Sequence, residues 1–164
     1  MPAIAHIGLG LGAKKIDPEL NVGYLIAASE AVEVVFMALW ALGIEAPPTD
    51  DTEGFSPYSH SVFSGVLLSG LLGVITWFIS KNRKHTLVIA LLTLSHTVMD
   101  VIASPMTAFY PLDVGKPLFY KGSTRIGLGL WRNKTLALIL EYGIVSVGLL
   151  IYVLTKIRLK KSTC

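Results

Sequence analysis

The sequence predicts an all-α fold, an integral-membrane four-helix bundle preceded by a short apolar N-terminal helix or half-helix. Three observations predict it. Hydrophobic residues make up 52% of the 164 residues and charged residues only 15%, where soluble domains carry about a quarter. The mean hydropathy is +0.62. The charges are also gathered into short stretches, between which run apolar segments close to the roughly 20 residues that cross hydrocarbon. A single membrane domain over 1–164 follows.

The elements are read in chain order. The apolar stretch from Pro2 to Ala13 is too short to span, so it either lies on the membrane surface or enters as a half-helix buried by its neighbours. No basic residues precede its apolar run, unlike a cleaved signal peptide. Spans are expected over about 22–43, 58–80, 86–104 and 136–154. The first leads into a loop rich in helix breakers (Pro47, Pro48, Gly54, Pro57) that also holds Glu45, Asp50, Asp51 and Glu53. A tight basic turn, Lys81-Asn82-Arg83-Lys84, joins the second and third, and a long polar excursion runs from Pro105 to Lys134. With the N-terminus inside, nine Lys and Arg fall on the cytoplasmic side and five outside (Lys116, Lys121, Arg125, Arg132, Lys134), so both termini are expected in the cytoplasm.

Several function classes drop out. The net charge of +3 sits at helix ends instead of in a basic groove interleaved with aromatics, which excludes a nucleic-acid footprint. Cys164 is the only cysteine, so neither an internal disulfide nor a thiolate metal cluster can form. The glycine-rich stretches Gly8 to Gly12 and Gly127 to Gly129 follow no predicted strand and read as close helix packing, not as nucleotide loops.

The informative residues are ionisable groups inside the apolar spans: Glu30 and Glu33 in the first, His60 opening the second, His96 and Asp100 in the third, and Glu141 in the fourth. Each is costly at membrane depth unless it is paired, ligates a metal or faces water. His96 and Asp100 are four residues apart and share one helix face, where imidazole and carboxylate can hold one divalent cation. If the N-terminal segment enters as a half-helix, His6 rises about 12 Å above Lys14 and Lys15, towards the same depth. Blander roles compete at single positions. Glu30 reads equally as a helix-pairing residue, Glu141 as a partner for Arg125 or a buried hydroxyl, and His85, beside Lys84, as merely interfacial. The joint pattern of three histidines and two carboxylates at one depth is what points to a site.

At these residues the chain resembles the membrane-bound metal-dependent hydrolases of the YdjM-like family. Ala5-His6 and the glycine-rich run after it resemble that family's N-terminal Gly-His segment. Pro57-Tyr58-Ser59-His60-Ser61 is similar to its Thr/Ser-His-Ser motif at a helix start, and Leu94-Ser95-His96-Thr97-Val98-Met99-Asp100 to its Ser-His-x-x-x-Asp motif. Arg125-Ile126-Gly127-Leu128-Gly129-Leu130-Trp131, followed by a helix containing Glu141, resembles the tail of one subgroup. One departure stands out. The resemblance implies an aspartate after a proline in the first long helix, where this chain has Val32-Glu33. Glutamate ligates as aspartate does but reaches one methylene further.

The preferred expectation is a metal-dependent hydrolase open to the outer face, with His6, Glu33, His60, His96 and Asp100 as the metal set. Nitrogen and carboxylate ligands without thiolate suit Zn²⁺, Mn²⁺ or Fe²⁺. One carboxylate, Glu33 or Glu30, would serve as general base instead of ligand, and Arg125 would bind an anionic head group of a lipid or phosphoester. The alternative is a non-catalytic accessory or scaffold subunit of a larger membrane complex, its polar groups paired with partner subunits. Ion or proton transport is a third reading, disfavoured because no polar path continues to the cytoplasmic side.

Overall fold

Six α-helices make up most of the chain in the computed structural model, which describes residues 4–45, 58–108 and 125–162. The acidic-loop residues Asp50, Asp51 and Glu53, with Lys116 and Lys121 of the later excursion, lie outside these. Three helices are long and apolar enough to cross a membrane, and a bent pair makes up to four.

The N-terminal segment forms helix α1 (Ala5–Ala13), which packs among the other helices with Ala5 and His6 fully buried. Its glycines explain how it fits. A Cβ on Gly8 would lie 2.7 Å from the Ile144 carbonyl oxygen, and one on Gly10 would lie 2.9 Å from the Ile26 Cα. On the opposing helix, a Cβ on Gly148 would collide with the Gly8 carbonyl. Small residues thus let backbones approach on two faces of α1, as close packing of the glycine-rich run requires.

The first expected span is broken. Helix α2 (Val22–Ser29), started by the Asn21 side chain accepting the Gly23 N–H at 2.7 Å, is followed by α3 (Ala31–Ala41), and the two are bent by 59° at Glu30. The expected span over about 22–43 thus consists of two helices, which pass for one span only as a bent pair. The break has a physical cause in the neighbouring helix. Carbonyls at its edge turn to side chains of that helix: Ala28 O accepts from Thr93 Oγ1 at 3.1 Å and Ser29 O is bonded to His96 Nδ1 at 2.7 Å. Backbone groups freed at a helix break inside a protein need new partners, and these two carbonyls have them.

Helices α4 (Val62–Ser80) and α5 (Arg83–Ala103) form an antiparallel hairpin. Lys81 ends α4 in the left-handed region, φ 52°, and the Asn82 side chain caps α5 by accepting the Lys84 and His85 N–H groups. The helices lie close because Gly65 and Gly73 face them together. A Cβ on Gly65 would collide with the Thr97 side chain, and one on Gly73 would lie 3.1 Å from the Ala90 Cβ. After α5, Met106–Thr107 (β1) pairs antiparallel with Arg125–Ile126 (β2), and a 3₁₀ turn, Leu130–Arg132, leads into α6 (Lys134–Ser162). Helix α6 runs well past the expected end of the span near residue 154 and carries the basic residues Lys156, Arg158, Lys160 and Lys161 within the helix.

Burial separates the helices. Only 11% of the apolar window of α6 and 17% of that of α4 are buried, against 44% for α5. Helix α5 is therefore the central element, and its inner face meets α2, α1 and α3. Ala13, Leu25, Ala28, Ile89 and Leu92 form the apolar core at that junction. Above this core, on the same face of α5, stand His96 and Asp100.

Candidate metal centre

Four separate chain segments deliver five side chains to one place. Helix α1 brings His6, α3 brings Glu33, the residue ahead of the α4 cap brings His60, and α5 brings His96 and Asp100. His6, His96 and Asp100 can hold one ion, and so can Glu33, His60 and His96. The two triads share His96. The His6 ring stacks on the His96 ring with centroids 3.5 Å apart.

The spacing is that of ligands. His6 Nε2 lies 3.7 Å from Asp100 Oδ1, and His60 Nε2 and His96 Nε2 lie 3.8 and 3.4 Å from Asp100 Oδ2. Glu33 Oε1 is 3.6 Å from His60 Nε2 and 3.8 Å from His96 Nε2. Direct hydrogen bonds would be shorter, about 2.7–3.2 Å. With metal–ligand bonds of about 2.0–2.2 Å, neighbouring ligand atoms of a tetrahedron stand about 3.3–3.6 Å apart. The observed separations lie at or just beyond that range.

Satisfaction of the polar atoms says the same. Among the described residues, His6 Nδ1 and Nε2, His60 Nε2, His96 Nε2 and both oxygens of Asp100 are buried without a hydrogen-bond partner. Asp100 is only 2% exposed. A buried carboxylate with neither oxygen bonded is costly unless a cation compensates it. The donor set therefore fits a divalent metal, held by three imidazole nitrogens and two carboxylates.

The outer partners orient the imidazoles. His96 Nδ1 faces the Ser29 carbonyl, which only accepts, so the proton sits on Nδ1 and the Nε2 lone pair faces the centre. His60 is held by a longer relay. Glu45 Oε2 accepts from Ser59 Oγ at 2.6 Å, and Ser59 Oγ stands 2.8 Å from His60 Nδ1, placing the His60 proton there too. Glu45 Oε1 also accepts the Tyr58 and Ser59 N–H groups at 2.7 and 3.0 Å, which fixes this turn. The two serines of Ser59-His60-Ser61 thus do different work: Ser59 orients the imidazole, and Ser61 caps α4 by accepting the Ser64 N–H at 3.1 Å. Phe36 of α3 packs against the His60 ring in an edge geometry at 5.6 Å.

The other expected residues are placed as follows. Glu30 sits at the α2–α3 break with Oε1 buried and without a hydrogen bond, outside both ligand triads. Arg125 is described through its backbone alone, which pairs with Thr107. Glu141 accepts the Ile4 N–H at 3.3 Å and the Trp131 Nε1–H at 3.1 Å, so it fastens the start of α1 to α6 and to the turn before it. Glu45 was read only as part of an acidic loop. Its sole sequence signal was proximity to the serine before His60, which no spacing rule connects across a loop. Comparison with known proteins finds no family model, no curated protein and no solved structure that matches this chain.

Proposed function

We propose that the protein is a membrane-embedded metal-dependent hydrolase whose metal is held by His6, Glu33, His60, His96 and Asp100. The observation that carries this reading is Asp100: fully inside the protein, bonded by neither oxygen, and faced by three imidazole nitrogens. Zn²⁺, Mn²⁺ or Fe²⁺ suits such a set. When bound, such an ion lowers the pKa of a water and polarises a phosphoryl or acyl oxygen. The chain's own residues supply the rest. Glu33 is 24% exposed, against 3% or less for the other four, so water and substrate reach the set on its side. One carboxylate, that of Glu30 at the neighbouring break or that of Glu33 serving as base instead of ligand, would accept the proton of the attacking water.

The resemblance to YdjM-like hydrolases belongs to the same proposal. Its support is that the residues in the three histidine-bearing motifs, far apart in sequence, meet at one centre. A four-span arrangement counts α2 and α3 as one bent span. It places both termini in the cytoplasm, with the basic α4–α5 turn on that side. A lipid or other substrate with an acyl chain is favoured by an apolar cavity of about 870 Å³ between α1, α5 and α6, lined by Leu9, Leu92 and Ile144 among others. Its lining includes Gly8 and Ser95, close in the chain to His6 and His96.

The test is hydrolysis by the detergent-purified chain. Phospholipid and acyl-ester substrates are offered with added Zn²⁺ or Mn²⁺, with chelator, and with His96→Ala. Turnover that needs metal and is lost in the variant supports the proposal. A chain that retains metal but hydrolyses neither class would favour the accessory-subunit reading.

A further inference from the structure

We propose a second divalent-cation site at the other end of α5, formed by Asp17, Glu19 and His85. The reading is independent of the centre above. His85 stands in the first turn of α5, about 16 Å along the helix from His96, so the two sites share no residue.

Three observations carry it. His85 Nε2 lies 3.5 Å from Asp17 Oδ2 and 3.4 Å from Glu19 Oε2. Asp17 is fully buried, and its Oδ2 has no hydrogen-bond partner although it points at the imidazole. His85 Nε2 is likewise buried without a hydrogen bond. A protonated imidazole serving these carboxylates would draw one oxygen to about 2.7–2.9 Å. Instead one nitrogen stands nearly equidistant from two carboxylates, at the separation of ligands sharing an ion. Two carboxylates and one imidazole nitrogen are a donor set that one divalent ion can use.

The turn is built before any ion arrives. Asp17 N–H donates to Ala13 O at 3.0 Å, Asp17 Oδ1 accepts the Glu19 N–H at 3.3 Å, and the Lys14 ammonium donates to the Pro18 and Leu20 carbonyls. The ammonium's hydrogen bonds thereby go to backbone carbonyls of the turn, and both carboxylates approach His85 of α5. An ion here clamps the α1–α2 connection to the start of α5. One nitrogen and two carboxylate oxygens suit Zn²⁺ or Mn²⁺.

The test uses the full chain in detergent. In a His60→Ala, His96→Ala background, which removes the first centre, calorimetric titration with Zn²⁺ should still show about one bound equivalent. Adding Asp17→Asn or His85→Gln should abolish it, and adding Glu19→Gln, at a position 79% exposed and so safe for folding, should weaken it at least tenfold. No residual Zn²⁺ binding in the background, or residual binding unchanged by all three substitutions, would overturn the proposal. Should the background itself fail to fold, metal content of the wild type against Glu19→Gln decides the same question, equal content counting against the site. Failure of the first centre reads differently: wild type and the His60→Ala, His96→Ala chain would then bind the same number of ions.

Discussion

Asp100 on α5 and Glu141 on α6 are both carboxylates placed in long apolar helices, and the protein treats them in opposite ways. Glu141 is given donors, the Ile4 backbone N–H and the Trp131 indole. Among the described residues Asp100 is given none, and imidazole nitrogens surround it at 3.4–3.8 Å without a hydrogen bond. An intramembrane carboxylate is costly in either case. In Glu141 the cost is met by neutral donors, and the residue becomes a fastener. In Asp100 it is left for a cation, and the residue becomes the centre of a site. Hydropathy alone cannot distinguish them, whereas the list of hydrogen-bond partners can.

This comparison can be broken or sharpened by substitution. The largest effect is expected for His6→Ala, which removes one ligand from a helix that otherwise packs through glycines. Metal affinity should fall by more than about a hundredfold, beyond the range of outer-sphere changes. Competition with a chromophoric chelator measures it. Next comes Ser59→Ala, which cuts the link between Glu45 and His60 without touching a ligand. Its loss should be about 10–100-fold in metal affinity, with the helical circular-dichroism signal preserved. An unchanged affinity would mean that His60 is not oriented by the relay.

Gly65→Ala probes the frame instead of the site. Its methyl would collide with Thr97, one residue from His96, and overpacking of this kind costs about 1–3 kcal/mol. A lowered thermal midpoint in detergent is the expected readout. The smallest effect belongs to Glu141→Gln. It keeps an acceptor for only one of the two donors, since Oε2 takes the Ile4 N–H and Oε1 the Trp131 Nε1–H, so stability should fall by about 1 kcal/mol, and metal content should not change. Loss of metal in that variant would erase the distinction between the two carboxylates.

Much of this was legible in the sequence, for identifiable reasons. The apolar runs located α4, α5 and α6 because lipid imposes a length that composition reveals. The four-residue spacing of His96 and Asp100 placed them on one face because a helix is regular. The break at Glu30 was not legible, since neither Gly nor Pro marks it and Ala28-Ser29-Glu30-Ala31 can continue a helix. Its cause lies in Thr93 and His96, which take up carbonyls from another helix. Glu45 was hidden behind a loop for the same reason. So were the neighbours of His85, Asp17 and Glu19, which sit in the α1–α2 connection and are brought to it only by packing.

The central claim is that Asp100 is balanced by a metal. Its most direct test is the transition-metal content of the chain purified in detergent without added metal, measured by mass spectrometry for the wild type and for Asp100→Asn. Near-stoichiometric metal in the wild type, lost in the folded variant, is the predicted result. A folded wild type without metal that takes up none when Zn²⁺, Mn²⁺ or Fe²⁺ is supplied would contradict it.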